Sequence, residues 1–463
     1  MDMNEDSIYE SIAWHSAIDE RTTEPIYSRN KMYGGFRASM NGSSWKEEPQ
    51  RFEIDWLSEI NALSKEWENR TYVTSPRSEF MHCERGKARL IRGSRMRDRV
   101  VRHVICDYEP GPSLAQYLIH NNGASQKGKG ISFSRTMFEN DLHNYWIEQG
   151  NNDGYVGFVD MSKFYDNIQH DKVREAIFPK ISEPSAWLLD LILDSFKVDV
   201  SHLSDDEYAV CMETKYDSID YHFNVPKELK TGEKWMRKSV DIGDQVSQDI
   251  GVFFPTPIDN YAKIVRGCKR YGRYMDDIYV IGETREEVRD IIRGITVKAD
   301  ELGLFINEKK SHISKLSGKY RFLQIQYSLQ NDGRVMKKIN PKSVTRERRK
   351  LKAYRRLLDR GEMTHEGIED SFKSWLASMY KYMSNQQIFN MLNLYLSLYG
   401  GLPKWKKHSK LRWATEQCLK TSSSTETTTS QKKRSRKKSS MRRHFEKSLS
   451  LTEQCQRSKK ISS

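Results

Sequence analysis

Asp160 closes the apolar run Tyr155–Val159 (YVGFV), and Asp276-Asp277 sits between two short apolar runs in YGRYMDDIYVIG, Tyr271–Gly282. The first reads as a buried strand ending on the aspartate, the second as a strand, a two-residue turn and another strand. If these strands are neighbours in one sheet, three carboxylates meet at its end. Carboxylate oxygen is the ligand Mg²⁺ takes, and two such ions roughly 3.5–4 Å apart activate one oxygen and stabilise another in in-line phosphoryl transfer. Asp is also a favoured turn residue, so a bare Asp-Asp pair equally describes an ordinary hairpin tip. The rest of the chain decides between the two.

The elements that must position these residues alternate between strands and helices, which predicts an α+β body. The stretch Arg51–Arg70 spaces Phe52, Ile54, Trp56, Leu57, Ile60 and Leu63 as one helical stripe. Ser247–Val265 has helical length, with a break predicted at Pro255 and Pro257. Arg285–Leu302 places Val288, Ile291, Ile292, Ile295 and Val297 on an amphipathic helix. Beyond Asn340 two consecutive helices are expected, the first strongly basic, joined around Gly361.

Taken together, these segments resemble the reverse transcriptase family. Tyr274-Met275-Asp276-Asp277 matches the family's Y-x-D-D hairpin, and Asp160-Met161-Ser162-Lys163-Phe164-Tyr165-Asp166-Asn167-Ile168 is similar to the motif supplying its first metal-binding aspartate. Between them, Ile242–Gln248 (IGDQVSQ) resembles the motif that supports template and incoming nucleotide. Downstream, Leu302–Lys310 (LGLFINEKK) is similar to LGL-x-x-N-x-K, and Phe322-Leu323-Gln324-Ile325 stands where the primer-grip F-L-G falls, with Gln324 in place of glycine. The resemblance spans about Arg51 to Leu398. It implies a right-hand polymerase architecture: an N-terminal extension over 1–50, partly ordered; fingers and an antiparallel palm over 51–335; a helical thumb over 336–405; and a basic disordered tail over 406–463.

It also implies roles. Asp160, Asp276 and Asp277 would hold two Mg²⁺ ions, with Mn²⁺ as a substitute. Tyr165 would pack under the sugar and exclude a ribose 2′-hydroxyl, with a core aromatic as the alternative. Lys87 and Arg89, in a Gly-Lys-x-Arg pattern, would grip the triphosphate with Gln248, as charge-assisted bonds suit phosphate. Ser247, Leu323 and Gln324 would contact template or primer. Lys310, or its neighbour Lys309, would donate a proton to the departing pyrophosphate, and Lys310 has the matching spacing from Asn307. The other arginines of Cys83–His103 (92, 95, 97, 99, 102) line the template path or form solvated faces. Helix Thr345–Arg360 would track the primer–template backbone.

The implied function is an RNA-directed DNA polymerase using an RNA template, a DNA or RNA primer and dNTPs. Ile-Gly-x-x-x-Ser-Gln at 242–248 resembles diversity-generating retroelement and prophage or antiphage-defence enzymes, whose partners include a dedicated noncoding RNA or accessory protein. Group II intron enzymes carry Gln-Gly and Ser-Pro there, and retrons carry Tyr-Ala-Asp-Asp. No segment resembles an HNH, integrase or RNase H domain. Two alternatives are a polymerase fold that mainly binds RNA or a partner, with catalysis secondary or lost, and a group II intron-type enzyme.

Charge is weaker support than it looks. Of the net +14, residues 406–463 hold 17 Lys and Arg against four Glu, or +13, which leaves +1 for the first 405. That Ser/Thr/Lys-rich tail cannot bury a core, and an electrostatic tether for RNA is its expected use. Six scattered cysteines without a C-x-x-C pair argue against a zinc site or a disulfide framework. With no apolar run long enough for a bilayer and no signal-peptide core, the expectation is a cytoplasmic protein that uses no membrane.

Overall fold

The computed structural model describes residues 24–84, 86–405 and 411–418. The described residues divide into two compact units, one running to Leu323 with Ser328–Val335, the other holding Gln324–Tyr327 and the described residues from Met336 onward.

The first unit is built on an antiparallel sheet in the order Tyr271–Tyr274, Asp277–Gly282, Tyr155–Ser162, Phe305–Ile306, with His312–Lys315 also pairing Tyr155–Ser162. Its strands are β3 (Tyr155–Ser162), β6 (Tyr271–Tyr274), β7 (Asp277–Gly282), β8 (Phe305–Ile306) and β9 (His312–Lys315). Successive residues face opposite sides of a strand, so the register sorts them. Phe158 pairs with Tyr279, and Gly157 with Val280. Phe158 and Tyr279 meet Phe138 of helix Ile131–Gln149, at ring-centroid distances of 6.0 and 4.7 Å. Gly157 faces the other way. A Cβ there would lie 2.6 Å from Val288 and 2.7 Å from Ile292, so glycine lets helix Arg285–Glu301 press onto the strand. The sheet is thus covered by a helix on each face.

Ahead of it stand helices Arg29–Met40, Glu47–Ile54 and Trp56–Glu68, a hairpin of β1 (Ser78–Glu84) and β2 (Lys87–Gly93), and helix Met96–Tyr108. The single helix expected over Arg51–Arg70 is therefore two, turning at Asp55, which buries Phe52, Ile60 and Leu63 but leaves Ile54 and Leu57 exposed. Residues 24–50 are ordered, and Met32, Phe36 and Met40 join the core; residues 1–23 lie outside the described residues. The proline break appears as expected, with helix Gln245–Phe253 ending before Pro255 and a new one over Thr256–Asn260. Residues 198–236 form a small module between β4 (Val198–Asp199) and β5 (Trp235–Met236), around buried Val198, Val200, Leu203, Cys211, Tyr216 and Met236.

The second unit is mainly helical: Pro341–Asp359, His365–Met379 and Asn385–Tyr399. Phe372 stacks on Tyr395 at 4.7 Å, and Tyr399 donates to the Leu351 carbonyl at 2.7 Å. Arg346, Arg348, Arg349, Lys352 and Arg356 stay exposed along the first helix. Part of the expected disordered tail, 411–418, is helical, with Leu411, Ala414 and Cys418 buried. The remainder of that tail, and with it the tether, lies outside the described residues. No helix among the described residues is long and apolar enough to cross a membrane.

Candidate active site

Asp160, two residues before the end of β3 and not at its end as expected, is the direct register partner of Asp277, the first residue of β7, so their side chains leave the same face of the sheet. Asp276 stands beside them in the two-residue turn, since Tyr274 pairs with Asp277. That turn needs a φ of +55° at Met275, a left-handed conformation costing a residue with a Cβ on the order of 1–3 kcal/mol. The strain persists because the hairpin is held from beneath. Arg273, fully buried, grips Asp259 with Nε 2.9 Å from Oδ1 and Nη2 2.7 Å from Oδ2. It also donates to the carbonyls of Val252 (2.7 Å) and Met275 (3.4 Å). The outer edge of β6 is closed by Asn121–Gly123: the Arg273 N–H donates to Asn121 O and the Gly123 N–H to Arg273 O.

Electrostatics follow from this crowding. Burial, then the Asp160 charge, raises the Asp276 carboxyl above its usual range. Burial, then Asp276 and Asp160, pushes Asp277 up to about 7. Lys310 and Lys87 pull both down without cancelling the excess. Lys310 Nζ donates to both oxygens of Asp160, at 2.7 Å from Oδ2. Asp160 is further fixed by its own N–H donating to Ser311 Oγ (3.2 Å) and by the Asn307 N–H on its carbonyl (2.7 Å). Three carboxylates with surplus negative charge and hard oxygen donors fit a divalent cation in donor chemistry. Among the described residues, no three His, Cys, Asp or Glu side chains converge as a finished ligand set.

Lys87 and Arg89 project from the same face of β2, both exposed, with Lys87 acting on Asp276 and Asp277 and Arg89 on Tyr165. Tyr165 lies over Gly251, where a Cβ would meet its hydroxyl at 3.3 Å, and that hydroxyl is 3.8 Å from Met275 Sδ. Burial, then the Asp276 charge, raises its phenol. The fold therefore gathers Asp160, Asp276, Asp277, Lys310, Lys87, Arg89 and Tyr165. Gln248, one turn before Gly251, is half-buried and accepts from Ser125 Oγ at 3.1 Å. Ser247 is fully enclosed. This corrects the expectation of a direct template contact, because its hydroxyl presents no surface. Leu323 and Gln324 form a separate turn with φ of +43° and +74°, and Arg135 donates to the Leu323 carbonyl at 3.1 and 2.6 Å.

Two arginines read as template-facing or solvated are neither. Arg92 is buried against Asp241, 2.7 Å from Nε to Oδ1, and Arg102 is buried against Asp244. Asp244 also caps helix Gln245–Phe253 by accepting from the Val246 N–H at 3.0 Å. Sequence reasoning missed these pairs, Arg273–Asp259 and Arg135. The one visible signal, for Arg273 alone, was an arginine inside a strand of otherwise apolar character.

Fold and site define a mixed α/β protein whose antiparallel sheet presents a carboxylate cluster flanked by two lysines. No family profile matches the chain, and no curated protein matches it by sequence. Among solved structures the chain is similar to telomerase from Candida albicans in complex with the TWJ fragment of telomeric RNA, at 11% identity and a TM-score of 0.38. That match covers 75% of this chain and 62% of the telomerase chain.

Proposed function

We propose that this protein is an RNA-directed DNA polymerase of right-hand architecture, with fingers and palm over 51–335 and thumb over 336–405. The observation that supports it most directly is the Asp160–Asp277 register pair with Asp276 beside it in a strained hairpin. Asp160, Asp276 and Asp277 would hold Mg²⁺, or Mn²⁺ in its place. The bound metal supplies charge neutralisation and a more acidic hydroxyl.

The chain's own residues supply the rest. Lys87 and Arg89 stand where positive charge grips a triphosphate, and Tyr165 offers a rigid ring edge against a 2′-hydroxyl. Lys310 Nζ, paired with Asp160, lies beside the carboxylates as a proton donor for a departing pyrophosphate oxygen. The exposed arginines and lysines of Pro341–Asp359 suit a salt-sensitive hold on duplex phosphates. Template and primer are RNA and a DNA or RNA strand, and the Ile242–Gln248 pattern supports a retroelement or antiphage-defence setting.

The test is primer extension with purified protein, a primed RNA template, Mg²⁺ and dNTPs, repeated with the RNA encoded beside the gene. Incorporation abolished by Asp276→Ala with Asp277→Ala supports the reading. No incorporation on either template, or incorporation indifferent to that double change, overturns it in favour of an RNA-binding role.

A further inference from the structure

The turn that carries Tyr165 is held by a part of the chain that has no other place in the chemistry. Immediately after β3, Lys163 takes a φ of +48°, and Tyr165–Asn167 form a single tight turn. Such a conformation persists only where neighbours over-determine it. Here the neighbours come from the 198–236 module. Asn167, fully buried, accepts from the Tyr216 N–H at 2.8 Å and donates to the Tyr216 carbonyl at 3.2 Å. The same amide nitrogen donates to the Lys163 carbonyl at 2.9 Å, pinning the left-handed residue. Ser218 Oγ donates to Asp166 at 2.8 Å, and Lys163 Nζ pairs with Asp217 at 2.6 Å. Three consecutive module residues thus lock three of the five residues of the turn that presents Tyr165.

The mount is itself rigid. Tyr216 is fully buried in the module's own core, and the β4–β5 pair closes that core. Buried Lys238 ties it further by donating to the carbonyls of Cys211, Met212 and Thr214 at 3.2, 3.2 and 2.7 Å. On the return, the Val240 N–H donates to the Tyr165 carbonyl at 3.0 Å. A ring that discriminates one hydroxyl must be held within about 0.5 Å, and a tyrosine on a free turn is not.

We infer that Asn167, with Asp217 and Ser218, is a positioning residue for sugar selectivity: the 198–236 module makes Tyr165 an effective discriminator between dNTPs and rNTPs. This rests on the polymerase reading above. The experiment compares kcat/KM for dATP and ATP in primer extension by the full chain. Asn167→Ala should narrow the dATP:ATP ratio tenfold or more, with ATP incorporation rising in absolute terms, and Asp217→Ala with Ser218→Ala should narrow it less. Tyr165→Ala marks the fully relaxed limit. A merely structural role lowers both nucleotides in parallel, and an unchanged ratio overturns the inference. If circular dichroism shows Asn167→Ala unfolded, the Asp217/Ser218 double variant decides on the same ratio. A wild type that extends with neither nucleotide removes the polymerase reading and this inference together. A dNTP-selective wild type whose variants keep its ratio removes the inference alone.

Discussion

Replacing Arg273 by methionine should cost about 3–5 kcal/mol of stability, because it leaves Asp259 charged and buried without its partner. Both side chains have no solvent exposure. Asp259 now receives the guanidinium at 2.7 and 2.9 Å and the Tyr271 hydroxyl at 2.7 Å. The substitution removes those two guanidinium bonds, together with the longer branch of Nε to Oδ2 at 3.1 Å, and keeps the Tyr271 bond. Hydrogen bonds to charged groups are worth roughly 1.5–3 kcal/mol each, so losing two gives about 3–6 kcal/mol, which overlaps the same range. Adding Asp259→Leu should recover most of the loss, since a buried ion pair exchanged for apolar residues of similar size is often close to neutral. The orphaned carboxylate can escape its penalty by protonation, so the single variant should suffer less at low pH. Urea denaturation of the two single variants and the double gives the coupling energy directly. Primer extension then separates fold from function: the double variant should be stable yet impaired, because Met275 loses the donor beneath its strained turn. A single variant losing under about 1 kcal/mol, against the 3–5 of a desolvated pair, or a double variant no more stable than Arg273→Met, would refute the reasoning.

Other outcomes follow from the same structure. Asp277 has its carboxyl raised from 3.8 to about 7, so the metal-free native state is at no disadvantage below pH 4 and loses stability as pH climbs toward 7. Metal binding needs the ionised form, so added Mg²⁺ should raise the melting temperature more at pH 8 than at pH 5.5; equal shifts would contradict a carboxylate-held ion. Gln324→Gly, at φ +74°, should stabilise the protein by about 1 kcal/mol through relief of the left-handed strain, read from the denaturation midpoint. Removing residues 419–463 should flatten the salt dependence of RNA binding while sparing turnover on saturating template. An unchanged slope would show that the tail makes no phosphate contacts.

By itself the sequence determined the parts whose signals are local. The apolar runs in YVGFV and YGRYMDDIYVIG specified three strands and a two-residue turn, and the structure pairs them with Asp160 opposite Asp277. Helical spacing located Arg285–Glu301, and Pro255 located the break after Phe253, because proline's missing N–H acts where it stands. The family resemblance singled out the carboxylates and the tyrosine. Tertiary structure decided which charges are buried inside the fold and which stay exposed. Arg92 and Arg102 look no different in sequence from Arg95, yet the first two are buried on Asp241 and Asp244 while Arg95 stays exposed, as Lys87 and Arg89 do. Ser247 and Gln248 are neighbours, and the helix turns one inward and leaves the other half-buried. Asn167 meets Tyr216 across 49 residues. Periodicity follows from backbone geometry a few residues long, whereas desolvation and ion pairing depend on which distant segments the fold brings to within 3 Å, and that is where the carboxylate cluster and the mount of Tyr165 are made.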